Sequence, residues 1–120
     1  MICAAGDRTV PVMRRRIVQG AGVKQVPHHD LAAFKAAFAR DKGITVSARQ
    51  SALSLGMSLA AVAAAIARLD PAHFYKSMVS HNDRRRWQDV YHLPHGGLII
   101  YVKFIDDTLT EFLLLSFKEK

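Results

Sequence analysis

The chain has 120 residues, half of them hydrophobic, and 17 lysine and arginine residues against 10 acidic ones give it a formal charge of +7. This length supplies one domain with one core, and no apolar run approaches the roughly 20 residues of a membrane-spanning helix. The single cysteine, Cys3, excludes an intrachain disulfide and is typical of a reducing compartment. We therefore expect a soluble cytoplasmic protein, and the positive charge favours a polyanionic partner such as a nucleic acid.

Residues 1–22 contain scattered glycine and proline and the triplet Arg14-Arg15-Arg16, with no sustained helical period. This pattern predicts a disordered N-terminal extension. Its arginines can alternatively form an arm along nucleic-acid phosphates. The folded domain is predicted to span residues 23–120.

Three helices are predicted in the first half of that domain. Asp30 can cap the first helix, whose apolar residues recur with the helical period, and Gly43 is a plausible stop. The S-x-x-Q pattern from Ser47 to Gln50 predicts a capping box at the start of the second helix. Ser58 can cap a third, alanine-rich helix, which Asp70-Pro71 ends because a residue before proline avoids the helical conformation.

Four strands are predicted in the C-terminal third, where short aromatic and β-branched segments alternate with turn residues. Their approximate spans are 74–79, 87–92, 98–105 and 111–118. A turn containing Pro94 and Gly96-Gly97 separates the second strand from the third. Helices followed by strands predict an α+β domain, with three N-terminal helices packed on one face of an antiparallel sheet.

Side chains alternate between the two faces of a strand, so the sheet is predicted to have one apolar and one polar face. On the third strand the apolar set is Leu98, Ile100, Val102 and Phe104, and Ile99, Tyr101 and Lys103 share the other face. A sheet covered by helices on one side can then gather four polar side chains on its open side. These four are Lys76, Gln88, Tyr101 and Lys118. Ammonium groups, an amide and a phenol are groups that hold phosphate and bases.

Three sequence blocks on these strands resemble the MqsR (motility quorum-sensing regulator) toxin family. The blocks are Phe74-Tyr75-Lys76-Ser77-Met78, Trp87-Gln88-Asp89-Val90-Tyr91 and Ser116-Phe117-Lys118-Glu119-Lys120. Their order and spacing are similar to those of the family across residues 23–120. The resemblance implies a RelE-like fold and an endoribonuclease that acts as the toxin of a type II toxin–antitoxin system.

The resemblance also implies a set of residues, a substrate and a partner. It places the catalytic role on Lys76, Gln88, Tyr101 and Lys118. It implies growth arrest through cleavage of free mRNA at short GC-containing triplets such as GCU. It further implies neutralisation by an MqsA-like antitoxin that has a zinc-binding N-terminal region and a helix-turn-helix DNA-binding region, so that the zinc belongs to the antitoxin.

Further residues near the polar face are candidates for RNA binding. Tyr75 and Met78 border the predicted groove and are expected to touch RNA. The loop Arg84-Arg85-Arg86 can contact phosphates or simply face solvent. Trp87 is predicted to belong to the core rather than to a base-stacking platform.

No metal or other cofactor is predicted. The segment His92-Leu93-Pro94-His95 has ligand-like spacing but is predicted to form a turn, and a zinc site needs four ligands at tight spacing. The acidic pair Asp106-Asp107 falls in a predicted hairpin loop, where turn formation explains it. Chemistry without a metal would use the RNA 2′-hydroxyl as nucleophile and lysines as electrostatic clamps.

The sequence does not decide which residue accepts the proton, and it leaves two alternative functions open. Tyr101, or a lysine with a lowered pKa, can act as the base, while Gln88 orients phosphate or a base. One alternative function is a non-catalytic basic module that binds RNA or protein. Another is a ribosome-dependent RNase of the RelE type. Neither a membrane nor a small-molecule ligand is predicted as a partner.

Overall fold

The computed structural model describes residues 22–120, in which helices precede an antiparallel sheet. The helices are α1 (Leu31–Asp41), α2 (Val46–Ser54) and α3 (Leu59–Ala67), and a short 3-10 helix spans Pro71–His73. The strands are β1 (Val23–Lys24), β2 (Phe74–Val79), β3 (Trp87–His95), β4 (Leu98–Asp107) and β5 (Glu111–Glu119). The sheet order is β1-β2-β3-β4-β5, with antiparallel neighbours throughout. The predicted α+β class is confirmed, whereas the predicted extension lies outside the described residues except for Gly22.

The core lies between the three helices and one face of the sheet. Phe34 of α1 stacks on Phe104 of β4 with ring centroids 3.8 Å apart and planes 2° apart. Ile100 and Val102 of β4 are fully buried in the same cluster as Ile66 of α3. The predicted apolar face of β4 is therefore confirmed, and the opposite face of the sheet is left uncovered by the helices.

The start of α1 is as predicted, but its end is not. The Asp30 carboxylate accepts a hydrogen bond from Ala32 N at 2.9 Å. The left-handed residue that ends the helix is Lys42, with a φ of 50°, rather than Gly43. Gly43 is buried, and a Cβ there would lie 2.6 Å from the carbonyl oxygen of Phe112. The glycine is needed because the chain passes close to β5, a contact that the local pattern does not reveal.

The predicted capping box of α2 is wrong. Thr45 is the N-cap, and its hydroxyl accepts a hydrogen bond from Ala48 N at 3.1 Å. Thr45 N also donates to Leu114 O at 3.0 Å, and Leu114 N donates to Gly43 O at 2.8 Å. These bonds to β5 hold residues 43–45 extended, so the helix begins two residues earlier than the capping pattern indicated. Ser58 caps α3 as predicted.

The second predicted strand is longer than expected because Pro94 is part of it. Pro94 lies opposite Ile99 in β3, and the turn consists of Gly96 and Gly97, which have φ values of 53° and 85°. Proline lacks a backbone N–H and is tolerated in a strand where no neighbour needs that donor. The pairing of β3 with β2 ends at Tyr91, so Pro94 meets this condition.

The two-residue strand β1 was not predicted, and it is held by a buried carboxylate. Val23 and Lys24 pair with Met78 and Ser77 of β2. The following segment is fixed by Asp89, which is fully buried. Its carboxylate accepts hydrogen bonds from His28 N at 3.1 Å, His29 N at 2.8 Å and the Ser77 hydroxyl at 2.6 Å.

Among the described residues, no single helix is long and apolar enough to span a membrane. Only the pair α2 and α3, bent by 95° at the break between them, passes the same criteria of length and composition.

Candidate active site

The open face of the sheet carries all four predicted catalytic side chains. Strand register places residues directly opposite one another on the same face. Tyr101 lies opposite His92 on one side and Lys118 on the other. Lys76 lies opposite Val90, which in turn lies opposite Lys103. Two adjacent rows of side chains, one through Tyr101 and one through Lys103, therefore cross the sheet.

Tyr101 and Lys118 form one contact of this face. The Lys118 ammonium nitrogen lies 5.6 Å from the centre of the Tyr101 ring. Burial, and secondarily the nearby Tyr75, raises the pKa of the Tyr101 phenol above its ordinary value of 10.0. The phenol is therefore protonated at neutral pH and suits donating a hydrogen bond rather than accepting a proton. This disfavours the option, open from the sequence, that Tyr101 is the base.

Lys76 and Tyr75 lie on the same side of the sheet because β2 is irregular at this point. Phe74 pairs with Tyr91 and Lys76 with Val90, so Tyr75 is the extra residue of a β-bulge. Bulges re-aim side chains, and here two successive residues approach each other on one face. The Lys76 ammonium nitrogen lies 5.2 Å from the centre of the Tyr75 ring, and Tyr75 is 46% exposed. An exposed aromatic beside a cation can stack on a base while the cation binds its phosphate.

Gln88 lies at a distance from the Tyr101 row. It is opposite Met78 and four residues along β3 from His92, which corresponds to about 13 Å along a strand. Both Gln88 and Met78 are half-buried. The structure thus places Gln88 on the predicted face but at its far end, where it can contact a different nucleotide from Tyr101 and Lys118.

Two further residues of the open face were not selected from the sequence: Lys103 and His92. Lys103 lies opposite both Val90 and Ser116. Burial lowers its pKa below the ordinary value of 10.5, and the cations Lys118 and Lys76 lower it further. Strand parity had placed Lys103 on the polar face together with Tyr101. It was not included among the four residues predicted to be catalytic.

His92, the last residue of the predicted strand 87–92 and the first of a segment predicted to form a turn, lies inside β3. Its ring stacks on Tyr75, with centroids 4.2 Å apart and planes 23° apart. It also lies 6.1 Å from the Tyr101 ring, at a tilted angle. Burial, followed by the positive charges of Lys120 and Lys76, lowers the pKa of His92 below 6.5. The signal that could have found it is strand parity, because the predicted strand 87–92 places His92 on the same face as Gln88.

The predicted arginine loop is largely engaged by carboxylates of the protein. Arg85 binds Asp83 at 3.1 Å, and Arg86 binds the Asp106 carboxylate at 3.2 Å. Arg84 is exposed. An RNA phosphate would compete with these carboxylates for Arg85 and Arg86. Trp87, predicted to be core, is half-buried and lies beneath Lys24, whose ammonium is 4.4 Å from the ring centre.

Over residues 22–120, no group of three or more histidine, cysteine, aspartate or glutamate side chains is placed to hold a metal ion. The two acidic residues predicted to lie in a hairpin loop end β4, and Asp107 accepts hydrogen bonds from Leu109 N and Thr110 N across the turn. Turn formation therefore explains Asp107, as predicted. His95 contacts Arg68 through its Nδ1 at 2.9 Å.

The open face therefore combines three kinds of group. Lys76, Lys103 and Lys118 supply positive charge, Tyr75 and Tyr101 supply aromatic surface and a phenolic donor, and His92 supplies an imidazole between the two tyrosines. Such a surface suits a polymer with alternating phosphates and bases. It can stabilise charge on a phosphate and also transfer a proton.

Comparison with known proteins decides the family. Residues 26–119 match the family described as motility quorum-sensing regulator, toxin of MqsA. This chain belongs to the MqsR toxin family. It is 35% identical over 100 residues to the mRNA interferase toxin MqsR of Escherichia coli (strain K12), an alignment that covers 81% of this chain and 98% of the relative. The family resemblance carried by the three sequence blocks is thus confirmed.

The part of the chain that matches the MqsR family contains the whole open face. It begins after β1 and includes β2 to β5, which carry Lys76, Gln88, Tyr101 and Lys118. Residues 1–25 lie outside the matched part. The candidate site and the family assignment therefore concern the same folded unit.

Proposed function

We propose that this chain is an mRNA interferase, an endoribonuclease that acts as the toxin of a type II toxin–antitoxin pair in the bacterial cytoplasm. Membership of the MqsR toxin family supports the toxin role. The Escherichia coli relative, which aligns over nearly its whole length, is named an mRNA interferase toxin. The observation that carries the assignment to a site is the register that brings Lys76, Tyr101 and Lys118 onto one open face.

The proposed reaction uses the RNA as its own nucleophile. The 2′-hydroxyl attacks the adjacent phosphorus, the bond to the 5′-oxygen breaks, and the products carry a 2′,3′-cyclic phosphate and a 5′-hydroxyl. Lys76 and Lys118 stabilise the negative charge that develops on the phosphate oxygens. Tyr101, whose phenol is protonated, donates a hydrogen bond to the same oxygens. No step of this reaction uses a metal ion.

Binding of the neighbouring nucleotides is proposed for the remaining residues. Tyr75 offers an exposed ring on which a base can stack. Gln88 and Met78 lie at the other end of the face, where an amide can read a base edge and a thioether can pack on it. We propose that this end contributes to selection of short GC-containing triplets of the GCU type. The loop Arg84-Arg85-Arg86 adds positive charge along the path of the RNA.

The proposed partner is an MqsA-like antitoxin with a zinc-binding region and a helix-turn-helix region. The family description, which names the toxin of MqsA, supports this pairing. Expression of the chain alone should arrest growth, and co-expression of the antitoxin gene beside it should restore growth. Unimpaired growth despite folded, accumulating protein would contradict the toxin assignment.

The test of the activity is incubation of the purified chain with naked RNA in the presence of EDTA. We expect defined fragments that map to one triplet. Cleavage should persist in EDTA, because the proposed groups are all side chains of the chain. Binding of the RNA without cleavage would instead support a non-catalytic module. Cleavage that needs added ribosomes would support a ribosome-dependent RNase, and cleavage that EDTA abolishes and Mg²⁺ restores would contradict the metal-independent reaction.

A further inference from the structure

His92 has a position on the open face that its neighbours fix closely. One face of its ring is covered by Tyr75 at a centroid distance of 4.2 Å. Its backbone lies directly opposite that of Tyr101, and the two rings are 6.1 Å apart. A ring covered on one face can meet a ligand through its edge, where its two nitrogens lie. Neither nitrogen has a hydrogen-bonding partner among residues 22–120.

The charged and titratable groups around His92 are lysines and tyrosines. Tyr75 of β2 and Tyr101 of β4 flank its ring, and Lys76 of β2 and Lys120 act on it through their charge. Lys103 of β4 and Lys118 of β5 lie on the same face, opposite Val90 and Tyr101. Burial is the largest cause of the lowered pKa of His92, and the positive charges of Lys120 and Lys76 lower it further. The imidazole is therefore neutral at neutral pH, the form that accepts a proton.

We propose that His92 is the general base of the RNA cleavage assigned to this face, an inference that rests on the proposed function. A ring nitrogen of His92 takes the proton of the 2′-hydroxyl as its oxygen bonds to phosphorus. The bond from phosphorus to the 5′-oxygen breaks, and that oxygen takes a proton from the Lys118 ammonium. Water then returns His92 and Lys118 to their starting protonation states, leaving a cyclic phosphate and a 5′-hydroxyl as products.

The alternative bases on this face are less suited to the role. The pKa of Tyr101 is raised by its burial, so its phenol holds its proton. Lys103 has a lowered pKa, but an ammonium between two cationic neighbours serves best to hold the phosphate. Imidazole is the side chain whose ordinary pKa lies nearest neutral pH, where a general base is most efficient. Its position between Tyr75 and Tyr101 places it in the middle of the row that ends at Lys118.

The test compares His92→Gln with the parent chain in single-turnover cleavage across an acid-to-neutral pH range. The parental rate should rise with pH as His92 loses its proton and then level off. The His92→Gln rate should be lower by about 100- to 10,000-fold, the range for loss of a general base, and should lack the acid-side rise. His81→Gln, in an exposed part of the loop between β2 and β3, is the matched control and should behave as the parent.

Two further measurements distinguish a role of His92 in proton transfer from a role in folding or in RNA binding. Thermal unfolding and binding of a 2′-O-methyl RNA, which lacks the nucleophile, should be the same for His92→Gln and the parent. A His92→Gln chain that cuts at the parental rate, or keeps the acid-side rise, would overturn the role of His92. Loss of RNA binding that accounts for the whole loss of rate would also overturn it. Absence of cleavage by the parent would instead refute the function on which the inference rests.

Discussion

At the residue scale, the open face shows how far single side chains could be assigned from the sequence. Strand parity was sufficient to place Lys76, Gln88, Tyr101 and Lys118 on one face. Parity could not show which of the four lie close together, and Gln88 lies about 13 Å along β3 from the Tyr101 row. It also could not show that Lys103 is half-buried between two other lysines, since burial depends on neighbours that are distant in the chain.

Single alanine substitutions should separate catalysis from stability on this face. Lys76→Ala, Gln88→Ala, Tyr101→Ala and Lys118→Ala should each lower the single-turnover cleavage rate by about ten- to a thousand-fold, the range for one positioned catalytic group. Their free energies of unfolding should change by less than about 1 kcal/mol, because these positions are outside the core. Single-turnover kinetics and thermal melts on the four variants check both expectations.

The exposed face of α2 supplies matched controls for these substitutions. Arg49 is an exposed cation and Gln50 an exposed amide on that helix, and both lie in the layer opposite the open face. Arg49→Ala and Gln50→Ala should leave the cleavage rate unchanged. A member of the four that melts normally and cuts at the parental rate does not belong to the site.

Lys103 should give RNA binding a distinctive pH dependence. Its pKa is lowered by burial and by Lys118 and Lys76, so as pH rises it loses its charge before a lysine of ordinary pKa does. Affinity for a phosphate should therefore begin to fall at a lower alkaline pH than ordinary lysines would give. Arginine stays protonated throughout this range, so Lys103→Arg should remove this first stage of the decline. Binding of 2′-O-methyl RNA over an alkaline pH series measures it, and an unchanged decline in Lys103→Arg would contradict the expectation.

At the scale of elements, the number and order of the main helices and strands could be predicted, while several boundaries could not. The periodic and alternating patterns of α1, α3 and β4 were sufficient because each buries one face against the same core. The end of α1 and the start of α2 are set by hydrogen bonds between residues 43–45 and β5, which local patterns do not contain. The strand β1 was missed for the same reason, since a two-residue strand has no pattern of its own.

Asp89 should be the residue on which the edge of the sheet depends. It is buried and accepts hydrogen bonds from His28 N, His29 N and the Ser77 hydroxyl. Asp89→Ala would leave His28 N and His29 N without this acceptor, while the Ser77 hydroxyl keeps its contact with Gln88 O at 3.3 Å. The loss should cost about 3 kcal/mol or more of unfolding free energy, since bonds to a charged group contribute about 1.5–3 kcal/mol each. Chemical denaturation of Asp89→Ala measures the loss.

Asp41 is the control for this substitution because its side chain is exposed and its ion pair is with the exposed Arg40. Exposed pairs typically contribute less than about 1 kcal/mol, so Asp41→Ala should unfold almost as the parent does. Equal losses in Asp41→Ala and Asp89→Ala would show that the buried carboxylate has no special role at the sheet edge.

At the scale of the whole molecule, the net charge and the open face contribute to different steps: attraction of the RNA and cleavage of one bond. The formal charge of +7 attracts RNA at long range, but long-range attraction does not choose a bond to cleave. That choice requires the open face, on which β2 to β5 each contribute at least one of the proposed residues. A change in charge far from the open face should therefore alter the affinity for RNA more than the cleavage rate.

Deletion of residues 1–21 should alter binding without altering chemistry. The deletion removes four arginines and one aspartate, so the formal charge falls from +7 to +4. RNA affinity should drop mainly at low salt, because phosphate contacts depend on counterion release. The cleavage rate at saturating RNA should be nearly unchanged, and titration at two salt concentrations with single-turnover kinetics checks both parts. A deletion that abolishes cleavage at saturating RNA would place part of the chemistry in residues 1–21.

The central claim is that the open face cleaves RNA by attack of the 2′-hydroxyl. The most direct test uses an RNA oligonucleotide cut at one mapped position and a copy with a single 2′-deoxy nucleotide immediately 5′ to the scissile phosphate, both incubated with the chain in EDTA. We predict that the first is cut to a 2′,3′-cyclic phosphate and a 5′-hydroxyl, and that the second is bound equally well but left intact. Cleavage of the 2′-deoxy copy at the same bond, or products with a 5′-phosphate, would contradict the proposed chemistry of the face.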